Sequence, residues 1–107
     1  MINKQFICRL NELKENHGHP VWLNEQQLAM FYVPEEGVFA VQNWDPIGKA
    51  FVLSRGIVGD IQGALCVASP LYKQHFCLKT GSCLEDESVR LNTWPVLVED
   101  DAVYVLS

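Results

Sequence analysis

Short apolar segments recur along this chain, broken by turn-forming residues about every 8–12 positions. No apolar stripe with helical spacing extends over three turns, so long amphipathic helices are excluded. One clear example is the turn at residues 34–37, which separates apolar segments at 27–33 and 38–42. The pattern is typical of a small antiparallel sandwich or barrel and predicts an all-β fold.

Two stretches of the chain lack this alternation and are predicted to be loops. Residues 43–56 contain one proline and two glycines without a clear period, and residues 69–74 form a second loop. Two short strands, at 57–60 and 64–68, lie between them. Near the amino end, residues 11–16 are predicted to form one or two helical turns that end at Gly18.

Length and composition indicate an ordinary globular domain. The 107 residues are expected to form a single domain spanning residues 1–107, because 49% hydrophobic and 20% charged residues suit a packed core. No apolar run approaches the roughly 20 residues that span a bilayer. The first residues lack the pattern of a secretory signal. We therefore expect a cytoplasmic protein that does not bind membranes.

Charge is unevenly distributed in a chain whose formal net charge is −5. A negative chain is repelled by phosphate backbones, so nucleic acid is not an expected partner. Residues 46–81 nevertheless hold four basic side chains and one acid, a local charge of +3. The basic residues are Lys49, Arg55, Lys73 and Lys79. This segment could face an acidic partner, or the cluster could be a solvated face that arose by chance.

The four cysteines do not form a metal-binding pattern. There is neither a C-x-x-C pair nor an H-E-x-x-H helix, so zinc motifs are absent from the sequence. His75 and Cys77 share strand spacing, and Cys66 could lie nearby, but such scattered ligands predict no metal site. Cys77 and Cys83 could face each other across a hairpin, although a disulfide is not expected in a reducing compartment.

Catalytic motifs are also missing. The serines lack a G-x-S-x-G context, the glycines form no phosphate-binding loop, and the acidic clusters occupy turns. Solvated turn carboxylates are a better interpretation than a general acid and base. The sequence therefore predicts no catalytic residue.

The two loops carry the most informative pattern. The first contains Asp45-Pro46-Ile47-Gly48 and continues to Leu53-Ser54-Arg55-Gly56; the second begins Ser69-Pro70-Leu71-Tyr72-Lys73 and ends at Thr80-Gly81. Together they resemble the cluster-binding region of Rieske iron–sulfur domains, C-P-H-x-G…L-S-x-G followed by C-P-x-H…F-x-L-x-T-G. The resemblance implies an antiparallel β-sandwich of about nine or ten short strands, with both loops at one tip.

The ligands of a Rieske cluster are not present at the matching positions. A Rieske [2Fe–2S] centre requires two thiolates on one iron and two imidazoles on the other. The cysteine positions fall on Asp45 and Ser69, and the histidine positions fall on Ile47 and Tyr72. The resemblance therefore implies a Rieske-like domain that binds no cofactor or metal at this tip.

A Rieske-like chain without ligands is similar to the small subunits of assimilatory NAD(P)H-dependent nitrite reductases. The residues that carry this similarity include the Leu53–Ile57 stretch and Val67-Ala68-Ser69-Pro70-Leu71, the most specific element. The resemblance implies a non-catalytic subunit for nitrate assimilation. In that family the large subunit carries FAD, an iron–sulfur cluster and sirohaem and reduces nitrite to ammonia.

The tip is the expected site for binding the large subunit. Trp44, Arg55, Tyr72 and Lys73 are the predicted partner-binding residues, because aromatic and basic side chains suit an interface. Alternatively, Trp44 and Tyr72 fill the space that a cluster would take. Two other functions also stay open: an electron carrier with an unexpected cluster, and a Rieske-like interaction module of another oxidoreductase.

Overall fold

The computed structural model describes residues 2–107, which form twelve strands and two short 3-10 helices. The strands are β1 (Lys4–Arg9), β2 (Gly18–Leu23), β3 (Gln26–Val33), β4 (Gly37–Gln42), β5 (Trp44–Asp45), β6 (Ala50–Phe51), β7 (Ile57–Ile61), β8 (Ala64–Ala68), β9 (His75–Cys77), β10 (Thr93–Trp94), β11 (Val96–Glu99) and β12 (Ala102–Leu106). The 3-10 helices are Leu10–Glu12 and Leu53–Arg55.

A central antiparallel sheet organises the molecule, with strand order β10–β4–β3–β2. A sheet of order β1–β12–β11 packs on one of its faces, and a sheet of order β7–β8–β9 packs on the other. The β5–β6 ribbon belongs to the first of the two loops. The candidate tip lies where this ribbon meets the end of β8.

Strand β3 explains why the molecule has three layers. From Leu28 to Val33 its sequence is a continuous apolar run, as expected for a strand that is buried on both faces. Leu28 and Met30 pack in the core shared with β12, whereas Ala29 and Phe31 pack in the core shared with β8 and β9. Alternate side chains point to opposite faces, so one strand serves two cores.

The all-β expectation is confirmed, with local differences. The strands number twelve partly because the predicted loop at residues 43–56 contains the two-residue strands β5 and β6, and because Thr93–Trp94 forms the separate short strand β10. The predicted helical turns at residues 11–16 are wrong: the turn is a 3-10 helix at Leu10–Glu12. Gly18 does not end a helix but begins β2. The position requires glycine because a Cβ there would overlap the Ser54 carbonyl.

Within residues 2–107, no helix has the length and hydropathy needed to cross a membrane.

Candidate functional site

The two tip loops share one backbone design. Each begins with a polar residue followed by proline, and each ends at a lysine four residues later. Lys49 N–H donates to the Asp45 carbonyl at 2.7 Å, and Lys73 N–H donates to the Ser69 carbonyl at 3.1 Å. Both lysines have left-handed φ angles, 57° and 60°, a conformation that side chains adopt uncommonly. The loops are therefore two copies of the same tight turn.

The first side chain of each loop also accepts a hydrogen bond from its own turn. Asp45 Oδ1 accepts the N–H groups of Ile47 and Gly48 at 2.9 and 3.0 Å. Ser69 Oγ lies 3.4 Å from the Leu71 nitrogen, a longer version of the same contact. Such side-chain-to-backbone bonds are a common way for Asp and Ser to stabilise turns.

A direct hydrogen bond joins the two loops. The Ser69 hydroxyl donates to Asp45 Oδ2, and both residues are almost completely buried: Asp45 is 0% exposed and Ser69 is 1% exposed. A buried carboxylate is costly unless hydrogen bonds satisfy it, and Asp45 receives three. Gly48 lets the loops approach, because a Cβ there would overlap the Leu71 side chain.

Asn43 attaches the first loop to the central sheet, a role that sequence reasoning missed. Its Oδ1 accepts the Ser54 N–H at 2.7 Å, and its Nδ2 donates to Gln27 Oε1 at 2.8 Å. Its carbonyl also accepts the N–H groups of Val52 and Leu53. Asn43 is 2% exposed, but nothing in its sequence context distinguishes it from an exposed turn asparagine.

The residues at the four ligand positions do not fit a Rieske cluster. Ile47 has no donor atom and packs against the core beside β8 and β9. The oxygens of Asp45 and Ser69 bind each other rather than pointing into a shared cavity. Tyr72 is 66% exposed and could offer only a phenol. This donor set lacks the two thiolates and two imidazoles that the centre requires.

The outer surface of the tip holds a basic groove. Arg55, Ile57, Pro70 and Lys73 are among the residues that line this cavity of about 400 Å³, and none of the lining residues is acidic. Ile57 is 77% exposed, so apolar surface accompanies the charges. We call this cavity the tip groove. Tyr72 stands exposed next to Lys73, so the alternative that it fills the core is wrong.

Trp44 lies in a different groove from Arg55 and Lys73. Its ring packs edge-on against Phe51, with centroids 4.9 Å apart. Trp44, Phe51, Trp22 and Trp94 line a cavity of about 340 Å³, so this groove contains all three tryptophans of the chain. The structure thus brings Arg55 and Lys73 together and separates them from Trp44.

A contact between His75 and Glu85 stabilises the wall of the tip groove where β9 begins. His75 lines the groove, and its Nδ1 lies 2.6 Å from Glu85 Oε2, while its backbone N–H donates to Glu85 Oε1 at 2.8 Å. Partial burial opposes ionisation of Glu85, but these hydrogen bonds outweigh it and hold the pKa of the carboxyl below its ordinary value.

Among residues 2–107, no group of three or more His, Cys, Asp or Glu side chains is placed to hold a metal ion. The polar groups of the tip stabilise two turns and leave basic, aromatic and aliphatic side chains outside. Such an arrangement can bind a surface, because the side chains left outside are the types that contribute most to interfaces.

The fold and the paired loops define the class of this protein as a Rieske-like domain. A sequence profile described as "Rieske-like [2Fe-2S] domain" matches residues 4–106.

Comparison with individual proteins narrows the class. The chain is 39% identical over 104 residues to the nitrite reductase (NADH) small subunit of Salmonella typhimurium, covering 96% of each chain. It superposes with a TM-score of 0.96 on a crystal structure described as a nitrite reductase NADPH small subunit, at 56% identity and 98% and 99% coverage. The chain belongs to the family of NAD(P)H nitrite reductase small subunits.

A further relative is of a different length. A nitrite reductase [NAD(P)H] large subunit of Klebsiella oxytoca is 39% identical to this chain over 101 residues, which cover 94% of this chain and 10% of the relative. A domain like this one is therefore also found within a much longer polypeptide.

Proposed function

We propose that this protein is the non-catalytic small subunit of a cytoplasmic, assimilatory NAD(P)H nitrite reductase. It binds and supports a large subunit that carries FAD, an iron–sulfur cluster and sirohaem and that reduces nitrite to ammonia. The small subunit supplies no catalytic group. Its contribution is a docking surface, and the tip is the part of the molecule that provides it.

The Asp45–Ser69 hydrogen bond is the observation that supports this proposal most directly. It joins the two loops through protein atoms at the positions that the sequence resemblance matches to two cluster ligands of a Rieske domain. The tip therefore keeps its shape without a redox centre, while Tyr72 and Lys73 project from it. A preorganised loop pair loses little entropy on binding, which favours a role in recognition over one in electron transfer.

The chemistry of the tip groove favours an acidic and partly apolar surface on the large subunit. Arg55 and Lys73 provide positive charge on a chain whose net charge is −5, so local attraction orients the small subunit tip-first. Exposed Leu71, Tyr72 and Ile57 add apolar contact area around these charges. Aromatic and arginine side chains are the residues that most often dominate binding energy at interfaces.

The length of the Klebsiella relative is consistent with this arrangement. Within one polypeptide, a domain meets its neighbour at a high effective concentration, so an interface of modest affinity is sufficient. A separate subunit must bind more tightly to achieve the same occupancy. The tip of the present chain is therefore expected to contain the stronger contacts.

Reconstitution with the large subunit tests this proposal. The purified small subunit is titrated into the holo large subunit, and both the dissociation constant and nitrite-dependent NAD(P)H oxidation are measured. The double variant Arg55→Glu/Lys73→Glu is expected to bind at least about tenfold more weakly, because it reverses both charges of the groove. Lys14→Glu reverses one exposed charge outside the tip and serves as the control.

Three results would reject parts of the proposal. Failure of the native chain to bind or support the large subunit would reject the subunit function and favour an interaction module of another oxidoreductase. Native binding that Arg55→Glu/Lys73→Glu leaves unchanged would reject only the tip as the interface. Loss of binding in Trp44→Ala, with the double variant unaffected, would assign the interface to the tryptophan groove instead.

A further inference from the structure

The second tip loop rests on a pair of cysteines whose placement has a chemical consequence. Cys66 in β8 and Cys77 in β9 are directly opposite each other in the antiparallel sheet. Residues in such a pair have their side chains on the same face. The strands that contain them enter and leave the loop at residues 69–74, so the pair lies at the base of that loop.

The hydrogen-bond pattern shows which kind of pair this is. Leu78 N–H donates to the Leu65 carbonyl at 3.0 Å, whereas Cys77 N–H points away from β8 and donates to the Ser82 carbonyl at 2.8 Å. Bonded and non-bonded pairs alternate along an antiparallel ladder, so Cys66 and Cys77 form a non-hydrogen-bonded pair. Cα atoms in such pairs lie roughly 4.5 Å apart, inside the range of about 4.4–6.8 Å that a disulfide spans.

The other thiol of this region cannot substitute for Cys66. Cys83 is bridged to Phe76, the neighbour of Cys77, and it packs in the core beside Phe76. Adjacent strand residues point to opposite faces, so Cys83 and Cys77 do not face each other. The expectation that they oppose each other across a hairpin is therefore wrong, because the partner of Cys77 is Cys66.

The environments of the two thiols suit different steps of thiol–disulfide exchange. Burial acts to raise the pKa of Cys77. Hydrogen bonds from the hydroxyl and backbone of Thr80, together with the backbone N–H and the charge of Lys79, outweigh burial and lower that pKa. Burial and the nearby Cys77 raise the pKa of Cys66, which is 1% exposed. Cys77 is the more accessible nucleophile, and Cys66 is a buried second thiol.

We propose that Cys66 and Cys77 form a thiol–disulfide modification site that reacts with low-molecular-weight disulfides to give a cross-strand disulfide. The Cys77 thiolate attacks one sulfur of the small disulfide, whose S–S bond breaks and releases one thiolate. Cys66 then loses its proton and attacks the Cys77 sulfur, releasing the second thiolate. The two protein thiols lose two electrons in total, the small disulfide gains them, and the released thiolates take up the two protons.

The new bond would tether the base of the loop that carries Tyr72 and Lys73. A bond between Cys66 and Cys77 closes residues 66–77, which include Ser69, into a ring, while the side chains of Asp45 and Ser69 take no part in the exchange. The modification therefore acts on the second loop without requiring any change in the bridge between the loops.

Oxidised glutathione is the probe for this site. The folded native chain is incubated with it, the remaining thiols are alkylated, and intact mass and peptide mapping identify the products. The expected product has lost two hydrogen atoms and links Cys66 to Cys77, and a dithiol reductant reverses it. Cys83 is buried and acts as an internal reporter of unfolding, so it should stay reduced.

Single variants separate the two steps. Cys66→Ala should accumulate glutathione on Cys77, because the second thiol is missing, while Cys77→Ser should react at least about tenfold more slowly. Cys8→Ser/Cys83→Ser is the matched control and should form the disulfide like the native chain. A native chain that stays reduced, that stops at the glutathione adduct, or that links Cys83 would overturn the proposal.

Discussion

The two tip loops have nearly the same backbone conformation, but their side chains differ in exposure to solvent. Both begin with a polar residue and proline, and both close with a hydrogen bond from a left-handed lysine. In the first loop Ile47 packs against the core, whereas in the second loop Tyr72 is 66% exposed. The first loop is therefore part of the scaffold, and the second presents side chains to solvent, as the proposed docking surface requires.

The comparison also explains how the tip survives without a cluster. A Rieske domain uses both loops to hold iron, so each loop contributes ligands to one centre. Here the loops meet through Asp45 and Ser69, the positions that match the two cysteine ligands in the resemblance. The two histidine-matching positions, Ile47 and Tyr72, do not converge: Ile47 packs against the core and Tyr72 is exposed. Each role can be tested by substitution.

Removal of the Asp45 carboxylate should have the largest effect. Asp45→Ala leaves the Ser69 hydroxyl and the N–H groups of Ile47 and Gly48 without their acceptor in a buried site. We expect the free energy of unfolding to fall by about 3 kcal/mol, measured by urea denaturation. Asp45→Asn keeps one acceptor oxygen and should lose less. A loss below about 1 kcal/mol for Asp45→Ala would mean that the bridge does not hold the loops together.

Substitution of Tyr72 should weaken binding of the large subunit while leaving the stability of the chain nearly unchanged. Tyr72→Ala removes an exposed side chain, so the free energy of unfolding should change by less than about 0.5 kcal/mol. Its affinity for the large subunit should fall about tenfold, which corresponds to about 1.4 kcal/mol. Urea denaturation and titration with the large subunit give the two values. A destabilised Tyr72→Ala chain would contradict the assignment of the second loop to the interface.

Gly48 tests the contact between the loops. A Cβ in Gly48→Ala overlaps the end of the Leu71 side chain and also crowds Leu71 Cβ and Asp45 Oδ2, so the contact between the loops must loosen. The expected loss is about 1–2 kcal/mol, typical of overpacking. Adding Leu71→Ala removes the overlap and should recover most of that stability in the same urea assay. If the double variant is no more stable than Gly48→Ala, the strain lies within the first loop.

The smallest expected effect on stability is that of Glu85, whose carboxylate is exposed, unlike that of Asp45. The pKa of Glu85 is lowered in the folded state, so its contribution to stability is present above its ordinary pKa and is lost as the pH falls through the lowered value. Glu85→Gln should cost about 0.5 kcal/mol or less near neutral pH, and the difference should vanish in acid. Urea denaturation across this pH range measures it.

The neighbouring Glu87→Gln is the control for the Glu85 experiment and should have no effect at any pH. A cost of Glu85→Gln that persists unchanged in acid would indicate that its hydrogen bonds to His75 do not depend on ionisation.

Much of the fold followed from local patterns. The turn at residues 34–37 and the strands on either side of Gln62-Gly63 lie where the sequence predicts them, because Gly and Pro act over a few residues. The prediction of helical turns at residues 11–16 failed because contacts between distant residues determine the structure there. The backbone of Gly18 lies against the Ser54 carbonyl, a contact between residues far apart in sequence that no local propensity contains.

Within the site, the sequence by itself determined the chemical identity of the tip. A polar residue before proline predicts a turn wherever it occurs, and a side chain such as that of Ile47 cannot become a ligand in any fold. The resemblance of the two loops to a cluster-binding region, and the loss of its ligands, were therefore visible without coordinates.

Only the tertiary structure decided which side chains are buried together and which are exposed. It placed Asp45 against Ser69, Trp44 in a groove apart from Arg55 and Lys73, and Cys66 opposite Cys77. These relations depend on strand register and on how the sheets pack, because they join residues that are distant along the chain. For example, a one-residue change of register between β8 and β9 would remove Cys66 from its place opposite Cys77, and no local pattern determines that choice.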